Sequence, residues 1–129
     1  METDFPRKLG LKAGQRVSLV NPPQGFGEEL AQIVPGIAFA NGGGPEPVHM
    51  VVAWPERDVP AMFRQLLPII SPDGAIWVVI PKKAGKCPGP SFQCLLDAAL
   101  PIGLVDNKTL SFSTTEYGIR FVIRRELRK

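Results

Sequence analysis

Two short stretches of this chain carry residues able to bind an anion. The first is Asn21-Pro22-Pro23-Gln24-Gly25-Phe26, where two side-chain amides flank a pair of prolines. The second is Lys82-Lys83, with Lys86 close behind, in a glycine-containing loop over 82–89. Asn and Gln offer donors and acceptors, lysine a point charge, and glycine a backbone that a ligand can approach closely. If both stretches follow parallel strands, they meet at the carboxyl end of one sheet, where open α/β sheets place their ligands. The expected site is a crevice formed by Asn21, Gln24, Gly25, Lys82 and Lys83. Its expected occupant is an anionic small molecule or an acidic protein partner. The plainer alternative is a solvated loop kept soluble by its lysines.

Other reactive residues are scattered. His49 is the sole histidine and starts an apolar run, with no Ser or Cys at a useful spacing. It reads as structural rather than as a general base. Cys87 and Cys94 are seven apart, which is neither a metal nor a redox spacing, and Cys94 falls on the core stripe of a helix. Trp54 and Trp77 read as large core residues, although either can wall a pocket. Asp73 and Asp106 sit in or near turns and form no acid–base pair. Ala84-Gly85-Lys86-Cys87 lacks the preceding glycine and following Ser or Thr of a phosphate-binding loop. No catalytic residue and no metal site is expected.

The elements that position these residues follow from periodicity. Residues 16–20 are a short β-rich run, ended by Asn21-Pro22-Pro23, since neither proline can donate to a ladder. Phe26, Leu30, Ile33 and Val34 share one helical face, Glu28 and Glu29 suit its positive end, and Pro35 stops it. Residues 37–40 form a short strand. The linker Asn41-Gly42-Gly43-Gly44-Pro45-Glu46-Pro47 is shorter than a usual parallel crossover, so the orientation of that strand stays open. Residues 48–54 and 75–80 are almost wholly apolar, as strands covered on both faces are.

Between them, Asp58 caps a helix bearing Val59, Met62, Phe63, Leu66, Leu67 and Ile70, and Ser71-Pro72-Asp73-Gly74 suits a type I turn. Ser91 caps a third helix with Phe92, Leu95, Leu96 and Ala99 on its core face. Residues 104–112 and 117–124 pair as a hairpin; in the second, Tyr117, Ile119, Phe121 and Ile123 share one face. Strands and helices alternating in this way imply a mainly parallel sheet with helices on its faces.

Composition sets the remaining bounds. The chain has 129 residues, 44% hydrophobic and 21% charged, which suits one soluble domain over 1–129. The net charge of +3 is spread, apart from a tail at Arg124, Arg125, Arg128 and Lys129 that reads as a solvated terminus, so nucleic-acid binding is not expected. The opening METDFPRKLG holds no apolar segment of a signal peptide, and no run approaches the roughly 18 apolar residues of a membrane span. A cytoplasmic protein with no membrane contact is expected. The edge strands of a small sheet leave a homodimer open.

Two resemblances emerge from these stretches. Leu11-Lys12-Ala13-Gly14-Gln15-Arg16-Val17 resembles the opening strand of class I S-adenosylmethionine-dependent methyltransferases. Residues 47–54 are similar to their fourth strand, 71–80 to their fifth strand with its turn, and 103–124 to their closing hairpin. The whole chain also resembles an uncharacterised bacterial family of short proteins, a domain of unknown function, through KLGLKAGQRV, NPPQGF, PDGAIWVVIPKKAG and GLVDNK.

The methyltransferase resemblance implies an acid near the end of the first strand, glycines after it, and a second acid ending the second strand. The first acid supports the cofactor's amino end, and the second grips ribose hydroxyls. Here Leu19 stands in the first acid's place, while Asn21, Pro23 and Gly25 stand in the glycines' places. Phe39-Ala40-Asn41 holds no acid. Pro23 has no N–H, and its ring fills the space a glycine would leave. On this reading no cofactor is expected.

The expected protein is a reduced Rossmann or methyltransferase-like α/β sandwich: a mainly parallel sheet flanked by helices, with a C-terminal antiparallel hairpin. Its expected role is a non-enzymatic binding or assembly module. The alternative is a divergent S-adenosylmethionine-dependent methyltransferase or another nucleotide-using enzyme.

Overall fold

The apolar run after Gln15 is β1 (Arg16–Val20), and the double proline ends it as expected. The computed structural model describes residues 8–40, 47–55, 58–82 and 91–127. Helix α1 (Phe26–Ile33) follows, burying Phe26 and Leu30 and carrying Glu28 and Glu29 in its first turn, where the helix dipole favours acids. Strand β2 (Ala38–Phe39) is only two residues long. It pairs parallel with β1, Arg16 opposite Ala38 and Val17 opposite Phe39, which fixes the orientation the linker left open. Strand β3 (Val48–Ala53) pairs parallel with the other side of β1. Strands β2 and β3 therefore flank β1 on its two sides, all three parallel.

Asp58 caps α2 (Val59–Leu66) by accepting the Ala61 N–H at 3.0 Å. Pro68 then tightens the chain into a 3-10 turn, Leu67–Ile69, because proline cannot continue the α-helical ladder. Strand β4 (Ile70–Pro81) takes in the residues expected to form a separate turn. Val48 pairs with Ile70 and Met50 with Ala75, so Ser71, Pro72, Asp73 and Gly74 form a bulge within the strand. Gly74 sits tightly there: a Cβ would lie 3.0 Å from the carbonyl oxygens of His49 and Ser71.

Ser91 caps α3 (Phe92–Ala99) by accepting the Cys94 N–H at 3.2 Å. Strands β5 (Leu104–Ser111) and β6 (Glu116–Ile123) form the expected antiparallel hairpin, and β6 inserts beside β4.

The sheet runs β2-β1-β3-β4-β6-β5. The order reverses between β1 and β3, which is the topological switch point. One face packs Val51, Ala53, Ile76 and Val78 against α2 and α3, with Phe63 and Phe121 meeting edge-on at 5.1 Å. The other face packs Val17, Met50, Val52 and Trp77 against α1 and residues 9–11, and the Trp77 indole N–H donates to the Leu9 carbonyl at 3.3 Å. Burial on both faces explains the continuous apolar runs of β3 and β4. Trp77 is fully buried and Trp54 nearly so, in agreement with their reading as core residues. No helix among the described residues is long and apolar enough to cross a membrane.

Candidate functional site

The loop between β1 and α1 bends twice through left-handed backbone, at Asn21 (φ 53°) and at Gly25 (φ 82°). Asparagine tolerates this region better than other side chains, so the first bend survives without glycine. The Asn21 amide Nδ2 lies 3.5 Å from the Trp54 carbonyl, and the Trp54 N–H donates to the Val20 carbonyl at 2.9 Å. These bonds fasten the loop to the end of β3. Helix α1 starts without a side-chain cap, because Gly25 occupies that position. Its first turn therefore keeps N–H groups that helical bonding cannot satisfy, which is the property that makes helix starts attract anions.

A crevice of about 290 Å³ opens at the switch point, lined by Val20, Asn21, Pro55, Asp58, Met62 and Gln65 among others. It lies on the α2 side of the sheet. One Asp58 oxygen is held by the Ala61 N–H, and the side chain is otherwise exposed. Sequence reasoning treated Asp58 only as a helix cap and missed Met62 and Gln65 as lining residues. The available signal was an acid in the connection that follows a parallel strand neighbouring β1, where such sheets bind ligands.

The expected anion-binding residues are placed apart. Asn21 enters the crevice, while Gln24 and Gly25 are exposed in the loop above α1. Lys82 is exposed beyond β4, its N–H donating to the Thr115 carbonyl at 2.8 Å and its Nζ lying 3.4 Å from Ser111 Oγ. It is drawn toward the β5–β6 hairpin, and β3 separates its strand from β1. Lys83 lies outside the described residues, as do Lys86 and Cys87.

His49 acts structurally at the opposite end of the sheet, where its Nδ1 accepts the Arg16 N–H at 3.0 Å. Cys94 is a buried thiol. No cluster of metal-ligating side chains occurs among the described residues.

No protein-family model matches this chain, and no curated protein does. Solved structures do resemble it. The pyocyanin biosynthetic protein PhzM matches with a TM-score of 0.69 at 11% identity, over 94% of this chain and 53% of PhzM. This chain thus spans about half the length of that protein. A TehB-like SAM-dependent methyltransferase from Corynebacterium glutamicum matches with a TM-score of 0.61 at 10% identity, over 95% of this chain and 87% of the enzyme. A SAM-dependent methyltransferase from Aquifex aeolicus matches with a TM-score of 0.58 at 14% identity, over 92% and 89%. The chain has the Rossmann-like fold of class I methyltransferases, as its sequence resemblance implied.

The expectation of a non-enzymatic binding or assembly module is corrected by these neighbours, which include enzymes of one reaction class. That expectation weighed two cofactor signatures, the loop after β1 and the residues ending β2. Losing one set of cofactor contacts does not remove the switch-point crevice that the fold itself creates.

S-adenosylmethionine can be tested against the residues present. In the usual loop cradle it fits poorly. Leu19 Cδ1 lies 3.4 Å from where a Cβ on Gly27 would be, so a leucine side chain lies against α1 where the resemblance asks for a carboxylate. Pro23 offers no N–H, and Phe39 is exposed where an acid would grip ribose. The adjoining crevice fits better. Both left-handed bends and the uncapped start of α1 are kept, and Asp58 supplies a carboxylate from the α2 wall.

Proposed function

We propose that this chain is a divergent S-adenosylmethionine-dependent methyltransferase that holds its cofactor at the switch-point crevice, displaced from the usual loop cradle. The observation that carries this reading is the crevice lined jointly by Asn21 and Asp58 at the reversal of strand order, in a fold shared with SAM-dependent methyltransferases. When bound, the cofactor supplies an activated methyl group on a sulfonium.

The chain's own residues bind and orient. Asp58 places negative charge where an ammonium group is to be held. Asn21, in the same crevice, supplies an amide donor for a carboxylate. Val20, Pro55 and Met62 give the crevice an apolar wall beside Asp58. Lys82, turned toward the hairpin, takes no part in this reading.

Calorimetric titration with S-adenosylmethionine and S-adenosylhomocysteine tests the proposal. Binding tighter than about 100 μM, roughly −5.5 kcal/mol, supports it. Asp58→Asn is the informative variant, because asparagine caps a helix as well as aspartate does and removes only the charge. Its affinity should fall at least tenfold. Absence of binding by the wild-type chain at millimolar cofactor would sink the proposal.

A further inference from the structure

The two positions that the methyltransferase resemblance marks for cofactor acids lie in one groove. Leu19, near the end of β1, and Phe39, the last residue of β2, line a depression of about 500 Å³ between α1 and the sheet edge. Pro22, Gly27, Glu28 and Ala31 complete it. A polar cradle that had merely decayed would leave polar and apolar side chains mixed. Here every lining side chain except that of Glu28 is apolar. The replacements at Leu19 and Phe39 act together, since they make one continuous carbon surface.

Shape and charge narrow the occupant. The volume lies within the range of small-molecule pockets. Phe39 keeps 45% of its surface exposed, so a ring face is available for stacking, with Leu19 and Ala31 as half-buried aliphatic walls. Among the described lining residues the one charge is a carboxylate, with no lysine or arginine, so phosphates and carboxylates are repelled. We infer that this groove binds a flat, carbon-rich small molecule without negative charge, whose ring stacks on Phe39. The inference goes beyond the proposed methyltransferase reading and does not rest on it.

The neutral planar dye Nile red is a suitable probe for the full chain. Fluorescence titration should show saturable, blue-shifted binding to the wild type. Leu19→Asp restores the acid that the resemblance expects, and Ala31→Glu puts a second charge on the helical wall. Each should weaken binding at least tenfold, with far-ultraviolet circular dichroism confirming the fold. Ala31 is only half-buried, so its variant remains informative if Leu19→Asp does not fold. Gln93→Ala, on the exposed face of α3, should leave the affinity unchanged.

Non-saturable binding, or equal affinity in the wild type and folded Ala31→Glu, overturns the inference. Displacement of the dye by S-adenosylmethionine also overturns it, because the groove would then still be a cofactor subsite. Dye binding without any cofactor binding leaves this inference standing and removes only the methyltransferase reading.

Discussion

The Asp58 carboxylate accepts the Ala61 N–H at 3.0 Å, so one side chain both starts α2 and faces the switch-point crevice. The two roles separate by substitution. Asp58→Ala loses the cap and should cost about 1 kcal/mol, lowering the melting temperature by roughly 4 °C. Asp58→Asn should melt within a degree or so of the wild type. Equal losses in both variants would show that charge, and not capping, stabilises α2.

Gly74 and Gly27 should respond in opposite directions to the same change. A Cβ on Gly74 meets two backbone carbonyl oxygens at 3.0 Å, and backbone within a sheet yields little. Gly74→Ala should cost about 1–3 kcal/mol, the range for overpacked sites. Gly27 is helical, and its added Cβ would meet only Leu19 Cδ1 at 3.4 Å, an ordinary contact. Gly27→Ala should add about 0.5–1 kcal/mol, since alanine loses less freedom on entering a helix. Urea denaturation at unchanged slope measures both.

The same sites show what sequence can carry. Caps at Asp58 and Ser91 and the alternation of 117–124 were legible because their causes lie within a few residues. The runs 48–54 and 75–80 were legible because burial on two faces leaves no polar positions. The bulge at 71–74 was not: Ser-Pro-Asp-Gly satisfies a local turn, and only pairing with Val48 and Met50 on β3 draws it into β4. The direction of Lys82 was equally hidden, since Ser111 and Thr115, which hold it, are about thirty residues away. Asp58 was visible as a cap, but its crevice exists only once β1 and β3 lie side by side.

Phe63 and Phe39 should separate core from groove. Phe63 is fully buried against Phe121, and its truncation to alanine should cost about 3–5 kcal/mol. Phe39 is 45% exposed on the edge strand, and Phe39→Ala should change stability by no more than about 0.5 kcal/mol. A large loss at Phe39 would mean that its ring is structural.

Alkaline pH should destabilise the fold through Tyr117. Burial on β6 raises its phenol above the ordinary value of 10.0. The folded chain thus holds this proton more tightly than the unfolded one. The corresponding stability is complete below pH 10 and is lost as pH rises through the higher folded value. As the sole tyrosine, Tyr117 can be followed by its phenolate absorbance, whose midpoint should lie above 10. Tyr117→Phe should remove that part of the alkaline slope, and an unchanged slope would assign it elsewhere.

Strand β6 is made after β5 but lies inside the sheet rather than at its edge. It sits between β4 and β5, hydrogen-bonded to both. Until residue 123 has left the ribosome, β4 keeps one bare edge and β5 has no neighbour, so a nascent chain carries a nearly complete apolar sheet that nothing can close. Deleting 116–123 should therefore yield an open, self-associating template for strand pairing rather than a slightly smaller protein.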